Sequence, residues 1–363
     1  MSIEIRTGDF EAFFQAPFEA YEGQSYVSPL KADLKRFVSP AENPLFDGAD
    51  DIAIFTAHRD DKPIGRITAH VHRASNDAHG LNTAYFGYFD CADDAEAARA
   101  LLTAAEEWAK ARGFDTLVGN FNLTAMQMIG VQTGGFDHPA YSDCMAGPPH
   151  LPRLLEANGF KPFFPMSTYD IDLADWDRRA GPARTLPTDL TFAPITRRTL
   201  AARLDDARQV LNESFSDNPM FVPVSKAEYD FQAKDLKWVM DMRLSAVVHS
   251  EGKPVGALIA IPDLNPLLKR IGSQLSLSTP IHYMHHRLTN RRMVVVYYGV
   301  LPAWRGRGLT LIMLDHVLRA ALKAGYRQAG GTWISEENIA SLRQKEKLGA
   351  RTLQSLHLFR KSL

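Results

Sequence analysis

Residues 294–322 read VVVYYGVLPAWRGRGLTLIMLDHVLRAAL and combine a strand, a turn and a helix. The first seven residues are mostly β-branched or aromatic, which predicts a strand buried on both faces. Gly299 and Pro302 interrupt that run. Apolar residues then recur three and four positions apart, which predicts a helix that packs on a sheet through one face. These residues are Leu311, Ile312, Leu314, Val317, Leu318 and Leu322.

The turn between this strand and helix has the composition of an anion site. Gly306 and Gly308 let the backbone turn tightly and leave N–H groups uncovered where the helix begins. Those N–H groups, the positive end of the helix dipole and the side chains of Arg305 and Arg307 all attract an anion. The spacing fits neither the dinucleotide fingerprint nor the P-loop. The turn therefore predicts a phosphate site of another kind.

The same turn resembles the pyrophosphate loop of the GNAT superfamily of acyl-CoA N-acyltransferases. The family has Arg or Gln, then Gly three residues later, then Gly or Ala; here these positions hold Arg305, Gly308 and the small residue Thr310. The Val-x-Pro that usually precedes the loop is present at residues 300–302. The resemblance implies acyl-CoA as the donor and no metal cofactor. It implies contacts from Val300, Leu301, Arg305, Gly306, Arg307, Gly308, Leu309 and Thr310.

A second GNAT-like signature follows at residues 338–349. In the superfamily an asparagine begins a helix that carries a small residue and ends at a glycine. Asn338, Ser341 and Gly349 hold those positions here. The resemblance implies that Asn338 and Ser341 also belong to the CoA-binding region.

The domain organisation follows from length and from an internal repeat. A chain of 363 residues predicts about two domains. The N-terminal half repeats the order of hairpin, strand, helix and strand, and its LLEANGF at residues 154–160 resembles the terminal GNAT helix. We predict an α/β fold of two tandem GNAT-like domains, each a mixed, strongly twisted sheet flanked by helices. The boundaries are 1–173, a linker at 174–189, and 190–363.

The two halves differ where the phosphate turn should lie. The N-terminal half has CADDAE at residues 91–96, which contains no glycine. Its carboxylates, on Asp93, Asp94 and Glu96, would repel a pyrophosphate. Only the C-terminal half is therefore expected to bind CoA.

Two segments of the N-terminal half are candidates for an acceptor pocket. Residues 119–124 follow a strand, a common place for ligand groups in open α/β sheets. Residues 130–149 are too rich in Gly and Pro for a regular element, and long loops are often functional. The competing interpretation is a degenerate duplicate kept for packing. The acceptor-binding candidates are Asn120, Asn122, Thr124, Tyr141 and Asp143.

Composition excludes several classes of protein. A net charge of -1 gives no global reason to expect nucleic acid as a partner. Cys91 and Cys144 are the two cysteines, which predicts neither a disulfide framework nor a zinc cluster. No signal peptide and no spanning apolar stretch are visible, so the expectation is a cytoplasmic protein with at most peripheral contact at the inner face of the membrane.

The histidine-rich IHYMHH at residues 281–286 invites a metal interpretation. Its histidines are His282, His285 and His286, and no carboxylate pattern supports them as ligands. We therefore predict a surface or acceptor loop here, with no metal.

The whole-chain pattern narrows the function. GNFNLT, GGFDHPAY, GPPH, LLEANGF and FPMSTY before a CoA-binding half resemble a family of bacterial tandem-GNAT proteins. Within it the chain is similar to the bacterial ceramide synthases, which join an acyl-CoA to the amine of a sphingoid base. This resemblance implies an N-acyltransferase of lipid metabolism. Open alternatives are a small-amine N-acetyltransferase and a non-catalytic acyl-CoA-binding protein. A tRNA-dependent aminoacyl transferase would need a basic tract, and none is apparent.

Amide formation from a thioester needs a deprotonated amine, a stabilised oxyanion and a protonated leaving thiolate. The resemblance implies that a backbone N–H of Val300 or Leu301 polarises the thioester. In the superfamily a glutamate often lies six residues before the valine and a tyrosine seven after the asparagine. Val294 and Lys345 occupy those places, so both usual catalytic side chains are missing.

Three explanations compete for the missing groups. The base can be Asp263, or else His150 or Asp143 from the N-terminal half. The acid can be Tyr297 or Tyr298, because alternation along a strand turns one of them towards the ligand. Catalysis can also rest on positioning, with the amine losing its proton to solvent. The competing interpretation of Asp263 is a turn or N-cap carboxylate.

Overall fold

The computed structural model describes residues 2–24, 26–216, 218 and 220–363. The chain divides into two compact units, and neither is one continuous segment. The first unit comprises Met1–Met166, Asn265–His285 and Gln354–Leu363. The second unit comprises Ser167–Leu264 and His286–Leu353.

Strands and helices alternate along the described residues, which confirms the predicted α/β class. The strands are β1 (Glu4–Thr7), β2 (Ile52–Arg59), β3 (Lys62–His70), β4 (Thr83–Cys91), β5 (Thr116–Gly119), β6 (Val131–Gly134), β7 (Lys161–Asp172), β8 (Leu190–Phe192), β9 (Ala246–Ser250), β10 (Lys253–Pro262), β11 (Arg292–Val300), β12 (Gln328–Ser335) and β13 (Arg351–Ser362). The helices are α1 (Phe10–Ala20), α2 (Lys31–Phe37), α3 (Arg73–His79), α4 (Ala95–Lys110), α5 (His150–Ala157), α6 (Leu173–Ala180), α7 (Leu200–Ser214), α8 (Lys226–Ala233), α9 (Leu236–Val239), α10 (Asn265–Arg270), α11 (Thr279–Thr289), α12 (Leu309–Lys323) and α13 (Ile339–Leu348).

The first unit is built on a sheet with the order β1-β2-β3-β4-β5-β13, and β6 also pairs with β13. β4 and β5 are parallel, whereas the pairs among β1 to β4 and the pair of β13 with β5 are antiparallel. Two apolar cores cover this sheet. One holds α4 and includes Phe86, Leu101, Leu102, Leu117 and Phe359. The other holds α1 and α2 and includes Phe13, Phe14, Leu34, Tyr88 and Leu123.

The second unit has the strand order β7-β12-β11-β10-β9-β8, with β11 and β12 parallel. Successive residues of β10 point to opposite faces, as strand geometry requires. Leu258 and Ala260 pack in the core that contains α12. Ala257 and Ile259 pack in the core that contains α7. The sheet of this unit is therefore covered by helices on both faces.

Helix α12 confirms the helix predicted within residues 294–322, and Leu314, Val317 and Leu318 of the predicted face are buried. Leu311, Ile312 and Leu322, also predicted for that face, are only partly buried. The helix presents one apolar face to the core, and full burial of a Leu, Val or Met side chain stabilises a fold by about 1.5–3 kcal/mol. The buried apolar residues are Leu309, Met313, Leu314, Val317, Leu318 and Ala321.

Most of the final strand, β13, belongs to the first unit, whereas the residues that precede it belong to the second unit. We predicted residues 190–363 as one contiguous domain, but residues from Gln354 onward belong to the first unit. There β13 pairs with β5 from Phe359↔Gly119 to Ser362↔Thr116. Hydrophobic pattern predicts that a strand is buried, but it does not say which strand lies beside it.

Two further segments differ from the sequence prediction. The predicted linker begins inside α6, whose N-terminus is capped by Asp172 and whose Trp176 is 4% exposed. Because these contacts hold the segment against the second unit's core, it is folded structure. Residues 281–286, predicted as a loop, are part of α11.

Candidate active site

β11 and β12 separate partway along their length. Their parallel register ends at Val295↔Gly331, whereas β11 continues to Val300 and β12 to Ser335. The register between β11 and β10 shifts at the same point, which makes Val296 an extra residue. A bulge of this kind bends a strand. The result is an opening between two neighbouring strands of the second unit.

The backbone of β11 presents N–H groups to this opening. The N–H of Leu301 donates to the carbonyl of Val255 at 2.9 Å and so faces β10. N–H groups alternate in direction along a strand. The N–H of Val300 therefore faces the side from which β12 has parted. Of the two residues predicted to polarise a thioester, Val300 has the suitable direction.

The turn after β11 is exposed and depends on glycine for its shape. Gly306 and Gly308 have φ values of +79° and +77°, in the left-handed region that favours glycine. A Cβ at either position would meet no atom within 4 Å. Open space therefore adjoins the turn at both glycines.

Two arginines flank the turn and are both exposed. Nη2 of Arg305 donates to the carbonyl of Ser214 at 3.0 Å, which holds this side chain beside the end of α7. The guanidinium of Arg307 lies 4.5 Å from the ring centroid of Trp304. Both cations are thus held near the turn, where they add positive potential.

Helices α12 and α4 begin differently at corresponding places of the two units. α12 has Gly308 at its N-cap and no side-chain cap, so the N–H groups of its first turn are available. At α4, Asp94 accepts hydrogen bonds from the N–H groups of Glu96 and Ala97 at 3.0 and 3.1 Å. Partial burial alone would raise the pKa of Asp94, but the Ala97 N–H and the Arg59 guanidinium hold it below its usual range. At the start of α4 the carboxylate of Asp94 supplies the negative charge, whereas the start of α12 has no such side chain and is open to an anionic ligand.

The two adjacent tyrosines of β11 face different surroundings. The hydroxyl of Tyr297 lies 2.5 Å from that of Tyr229. Burial and this neighbour raise the pKa of Tyr297. Burial also raises the pKa of Tyr298, against a hydrogen bond with Ser341 that lowers it. The N–H of Ser341 donates to the side chain of Asn338, the N-cap of α13, at 3.0 Å. Tyr298 is therefore the tyrosine that adjoins the predicted CoA-binding residues.

A third tyrosine in this neighbourhood, Tyr169, was not predicted from the sequence. Nζ of Lys345, the residue in place of the usual GNAT tyrosine, lies 4.3 Å from the ring centroid of Tyr169 on β7. Burial raises the pKa of Tyr169; a hydrogen bond with Ser167 lowers it, while Glu336 and Tyr298 raise it. Tyr169 stands in the FPMSTY segment, which is far from Lys345 in sequence. The signal in the sequence is Lys345 itself, because a lysine at the usual tyrosine position indicates that another residue takes the place of that tyrosine.

Asp263 is placed as a buried ion-paired carboxylate. It is 1% exposed, its Oδ2 lies 2.9 Å from Nε of Arg292, and its N–H donates to the carbonyl of Arg292 at 3.0 Å. Removing one partner of a buried ion pair is strongly destabilising. These contacts favour a structural role, and a role as general base stays a prediction. Val294, at the usual glutamate position, is fully buried and offers no side-chain acceptor.

In the first unit, the asparagines predicted to bind an acceptor instead hold the backbone of β4. Oδ1 of Asn120 accepts from the N–H of Phe89 at 3.0 Å, and Oδ1 of Asn122 accepts from the N–H of Tyr88 at 2.8 Å. Nδ2 of Asn120 also donates to Oδ1 of Asn122 at 3.0 Å. These contacts lie beyond the end of the parallel register of β4 with β5. The amides therefore occupy the N–H groups at the place where the second unit has its opening.

The remaining candidates of the first unit differ in their burial and hydrogen bonding. Oγ1 of Thr124 accepts a backbone N–H at 3.2 Å, and Tyr141 is 2% exposed. Nε2 of His150 lies 2.8 Å from the carbonyl oxygen of Cys91. Asp143 is partly buried with a φ of +63°, and burial raises its pKa to about 6. Asp143 is therefore the candidate whose protonation changes near neutral pH.

The three histidines of the predicted surface segment lie on α11. His286 is buried, whereas His285 is exposed. Within the described ranges, no group of three or more His, Cys, Asp or Glu side chains is arranged to hold a metal ion.

The C-terminal part of the chain matches a family model, and the whole chain is similar to two known proteins. Residues 205–350 match the model of the acetyltransferase (GNAT) family. A protein of Caulobacter vibrioides named bacterial ceramide synthase is 25% identical over 351 residues, covering 93% of this chain and 91% of its own length. The protein YghO of Escherichia coli K12 is 23% identical, covering 99% of this chain and 94% of its own length.

Solved structures agree on the fold. A tandem GNAT protein from the clavulanic acid biosynthesis pathway has a TM-score of 0.60 at 13% identity, covering 99% of this chain and 98% of its own. A GCN5-related N-acetyltransferase from Sphaerobacter thermophilus has a TM-score of 0.55 at 15% identity, covering 99% and 95%. These likenesses confirm the predicted tandem GNAT fold.

Proposed function

We propose that this chain, a GNAT N-acyltransferase with two tandem GNAT-like units, moves an acyl group from acyl-CoA to a primary amine at the opening between β11 and β12. One observation carries the proposal: the opening leads along β11 to Val300 and then to the exposed turn at residues 305–308. A donor with its thioester in the opening would present its pyrophosphate to the turn. The match of residues 205–350 to the GNAT family supports this assignment.

The proposed donor contacts follow that path. The N–H of Val300 donates to the thioester carbonyl and stabilises the developing oxyanion. The N–H groups at the start of α12 bind pyrophosphate together with Arg305 and Arg307. Leu301 does not offer its N–H to the donor, because that N–H is engaged by β10. Further contacts come from Gly306, Gly308, Leu309, Thr310, Asn338 and Ser341.

The reaction requires one proton at the leaving sulfur. The neutral amine attacks the carbonyl carbon, the C–S bond breaks, and the thiolate takes a proton. The nitrogen releases one proton as the amide forms, and this proton restores the group that protonated the thiolate. We assign the protonation of the thiolate to Tyr298, because its hydroxyl hydrogen-bonds with Ser341 and so adjoins the predicted CoA-binding residues. Tyr169 is the second candidate, since it shares the neighbourhood of Tyr298. Tyr297 is assigned to the structural contact with Tyr229.

In the described part of the second unit, neither Asp263 nor residue 294, the usual glutamate position, is suited to accept the proton of the amine. Asp263 is paired with Arg292, and Val294 is apolar. We therefore propose that the amine loses its proton to solvent before it binds and that the enzyme contributes position. The rate at subsaturating amine should then rise about tenfold per pH unit below the pKa of the amine.

For the acceptor we propose a long-chain amine of the sphingoid-base type, which would give a ceramide. The support is the bacterial ceramide synthase that is 25% identical across 93% of this chain. In the first unit, Asp143 stays a predicted acceptor-binding residue, because its carboxylate can accept a hydrogen bond from the N–H of a neutral amine. The other candidates there hold backbone groups or are buried.

Thermal stabilisation by acyl-CoAs of increasing chain length tests the proposal. A ligand that binds only the folded state raises the melting temperature. We expect the shift to grow from acetyl-CoA to palmitoyl-CoA, and thiol release to require sphinganine as the amine. A shift that peaks at acetyl-CoA would favour a small-amine acetyltransferase. No shift with any CoA would contradict a CoA-dependent function.

A further inference from the structure

Exposed apolar side chains are concentrated in one short part of the chain. Among the described residues, nine large hydrophobic side chains are exposed, and five of these lie between residues 275 and 288. Leu277 is fully exposed, and Ile281 is 72% exposed. Concentrated exposure of this kind marks an interaction surface. The five are Leu275, Leu277, Ile281, Met284 and Leu288, which we call the apolar surface.

The apolar surface is carried by ordered structure. Ile281, Met284 and Leu288 lie three and four residues apart on α11, so they share one face of that helix. The loop before the helix is anchored, since Oγ of Ser273 donates to the carbonyl of Ser28 at 2.6 Å. The N–H of Lys31 donates to the carbonyl of Ser273 at 2.8 Å. The exposed side chains therefore belong to a fixed surface.

The charged residues within the segment that carries the apolar surface have one sign. Residues 264–291 contain four Lys or Arg and no Asp or Glu, although the whole chain has a net charge of -1. All four are exposed. They are Lys269, Arg270, Arg287 and Arg291.

We propose that the apolar surface docks the protein on an anionic lipid membrane. Apolar residues on one helix face enter the boundary between headgroups and acyl chains, while Lys and Arg pair with lipid phosphates. A protein partner would be matched by the apolar residues alone, whereas the uniform positive charge is complementary to an anionic bilayer. No helix in the described part of the chain is long and apolar enough to span a membrane. The proposal goes beyond the acyl transfer and does not depend on it.

Vesicle flotation of the full-length protein tests the docking. We compare vesicles of phosphatidylcholine with vesicles that contain about 30% phosphatidylglycerol, with no acyl-CoA present. We expect binding to the anionic vesicles and a loss of that binding at high salt. The double variant Leu277→Ser, Ile281→Ser should bind at least about tenfold more weakly, because two apolar side chains no longer enter the lipid.

Matched controls separate this surface from a general effect of substitution. Arg270→Gln with Arg287→Gln should also lower binding, whereas Arg197→Gln with Arg198→Gln should not, since those exposed arginines lie in another segment. Leu81→Ser, at a side chain that is 45% exposed, should bind as the parent does. Equal binding to both vesicle types would overturn the proposal, as would an unchanged Leu277→Ser, Ile281→Ser variant.

A site-specific probe gives an independent readout. Cys91 and Cys144 are both buried, so a new exposed cysteine can be labelled selectively. A polarity-sensitive dye on Leu277→Cys should shift to shorter wavelength with anionic vesicles, and the same dye on Leu81→Cys should not. If the dye at residue 277 instead responds only to protein concentration, the surface binds a second copy of the chain and the membrane proposal is wrong.

Discussion

At the scale of single residues, neighbours on one strand carry different chemistry. Tyr297 and Tyr298 are adjacent, yet one pairs with a buried phenol and the other adjoins Ser341. Strand alternation sends the two rings to opposite faces of the sheet. The sequence could therefore predict that one of them faces the ligand, but only the packing of α8 and α13 shows which one.

Phenylalanine at these two positions should separate catalysis from stability. Tyr298→Phe should lower kcat about 100-fold with little change in acyl-CoA affinity, because it removes the proposed proton donor. Tyr297→Phe should lower the free energy of unfolding by about 1–3 kcal/mol, because the hydroxyl of Tyr229 loses its partner. Thiol-release kinetics and chemical denaturation measure the two effects. Equal loss of kcat in both variants would contradict the assignment to Tyr298.

Asp143→Asn should stabilise the protein at pH 8 and leave its stability at pH 4 nearly unchanged. Burial raises the pKa of Asp143 to about 6, above the value near 3.9 of an unfolded chain. At pH 4 the carboxyl is neutral in the folded state and about half ionised in the unfolded chain, so the cost there is small. Above pH 6 the folded state holds an unfavourable charge. The cost at pH 8 is up to about 3 kcal/mol. Denaturation at both pH values measures it.

A nearby exposed carboxylate provides the control for this variant. Asp137→Asn lies in the same loop region and should change stability little at either pH. If Asp143→Asn also loses amine acylation while it gains stability, its carboxylate is retained for function at a cost to the fold. Equal effects at pH 4 and pH 8 would show that the charge of Asp143 is not the cause.

The predictable part of the site is the part that is local in sequence. The glycines and arginines of residues 305–310 indicated the turn, and the resemblance to the GNAT helix signature indicated the asparagine at residue 338; each is a short segment with its own backbone requirement. Tyr169 could not be predicted, because it reaches Lys345 from a strand about 175 residues earlier. Asn120 and Asn122 were recognised as a polar cluster, but their hydrogen bonds to β4 depend on packing.

At the scale of elements, the start of a helix decides which unit can take an anion. Asp94 supplies a carboxylate to the first turn of α4, while Gly308 leaves the first turn of α12 uncapped. The helix dipole favours negative charge equally at both ends. At α4 the chain itself supplies the negative charge, whereas at α12 a bound ligand would supply it.

Gly308→Asp should therefore convert α12 to the state of α4. Its carboxylate would lie where the pyrophosphate is proposed to bind, and we expect acyl-CoA affinity to fall at least about 100-fold. Calorimetric titration with acyl-CoA measures the loss. Gly252→Asp is the matched control, because Gly252 is exposed with the same φ of +77° and open space around it. It should carry a similar strain and keep its affinity for acyl-CoA.

At the scale of the whole molecule, each unit combines segments that are not contiguous in sequence. The last ten residues belong to the first unit, and the second half of β7 belongs to the second. Deleting residues 1–173 would thus remove Ser167–Asp172 from the second unit as well. Loss of activity after such a deletion would therefore reflect an incomplete second unit as well as the absence of the first unit.

Core substitutions can show this arrangement directly. Phe359 is fully buried in the first unit and Leu318 is 1% exposed in the second. Phe359→Ala should cost about 3–5 kcal/mol and Leu318→Ala about 2–5 kcal/mol. Hydrogen exchange should show lost protection in β2 to β4 for the first variant and in β9 to β11 for the second. Loss confined to residues 190–363 in both would contradict the assignment of β13.

The placement of β13 also bears on how the chain folds during its synthesis. Roughly 240 residues separate Gly119 from Phe359, its partner across the sheet. At about 5–20 residues per second, a ribosome needs about 10–50 s to make them. During that interval the edge of β5 lacks its native neighbour and can pair wrongly. The unit that contains the strands made first is thus completed only after β13 has been made.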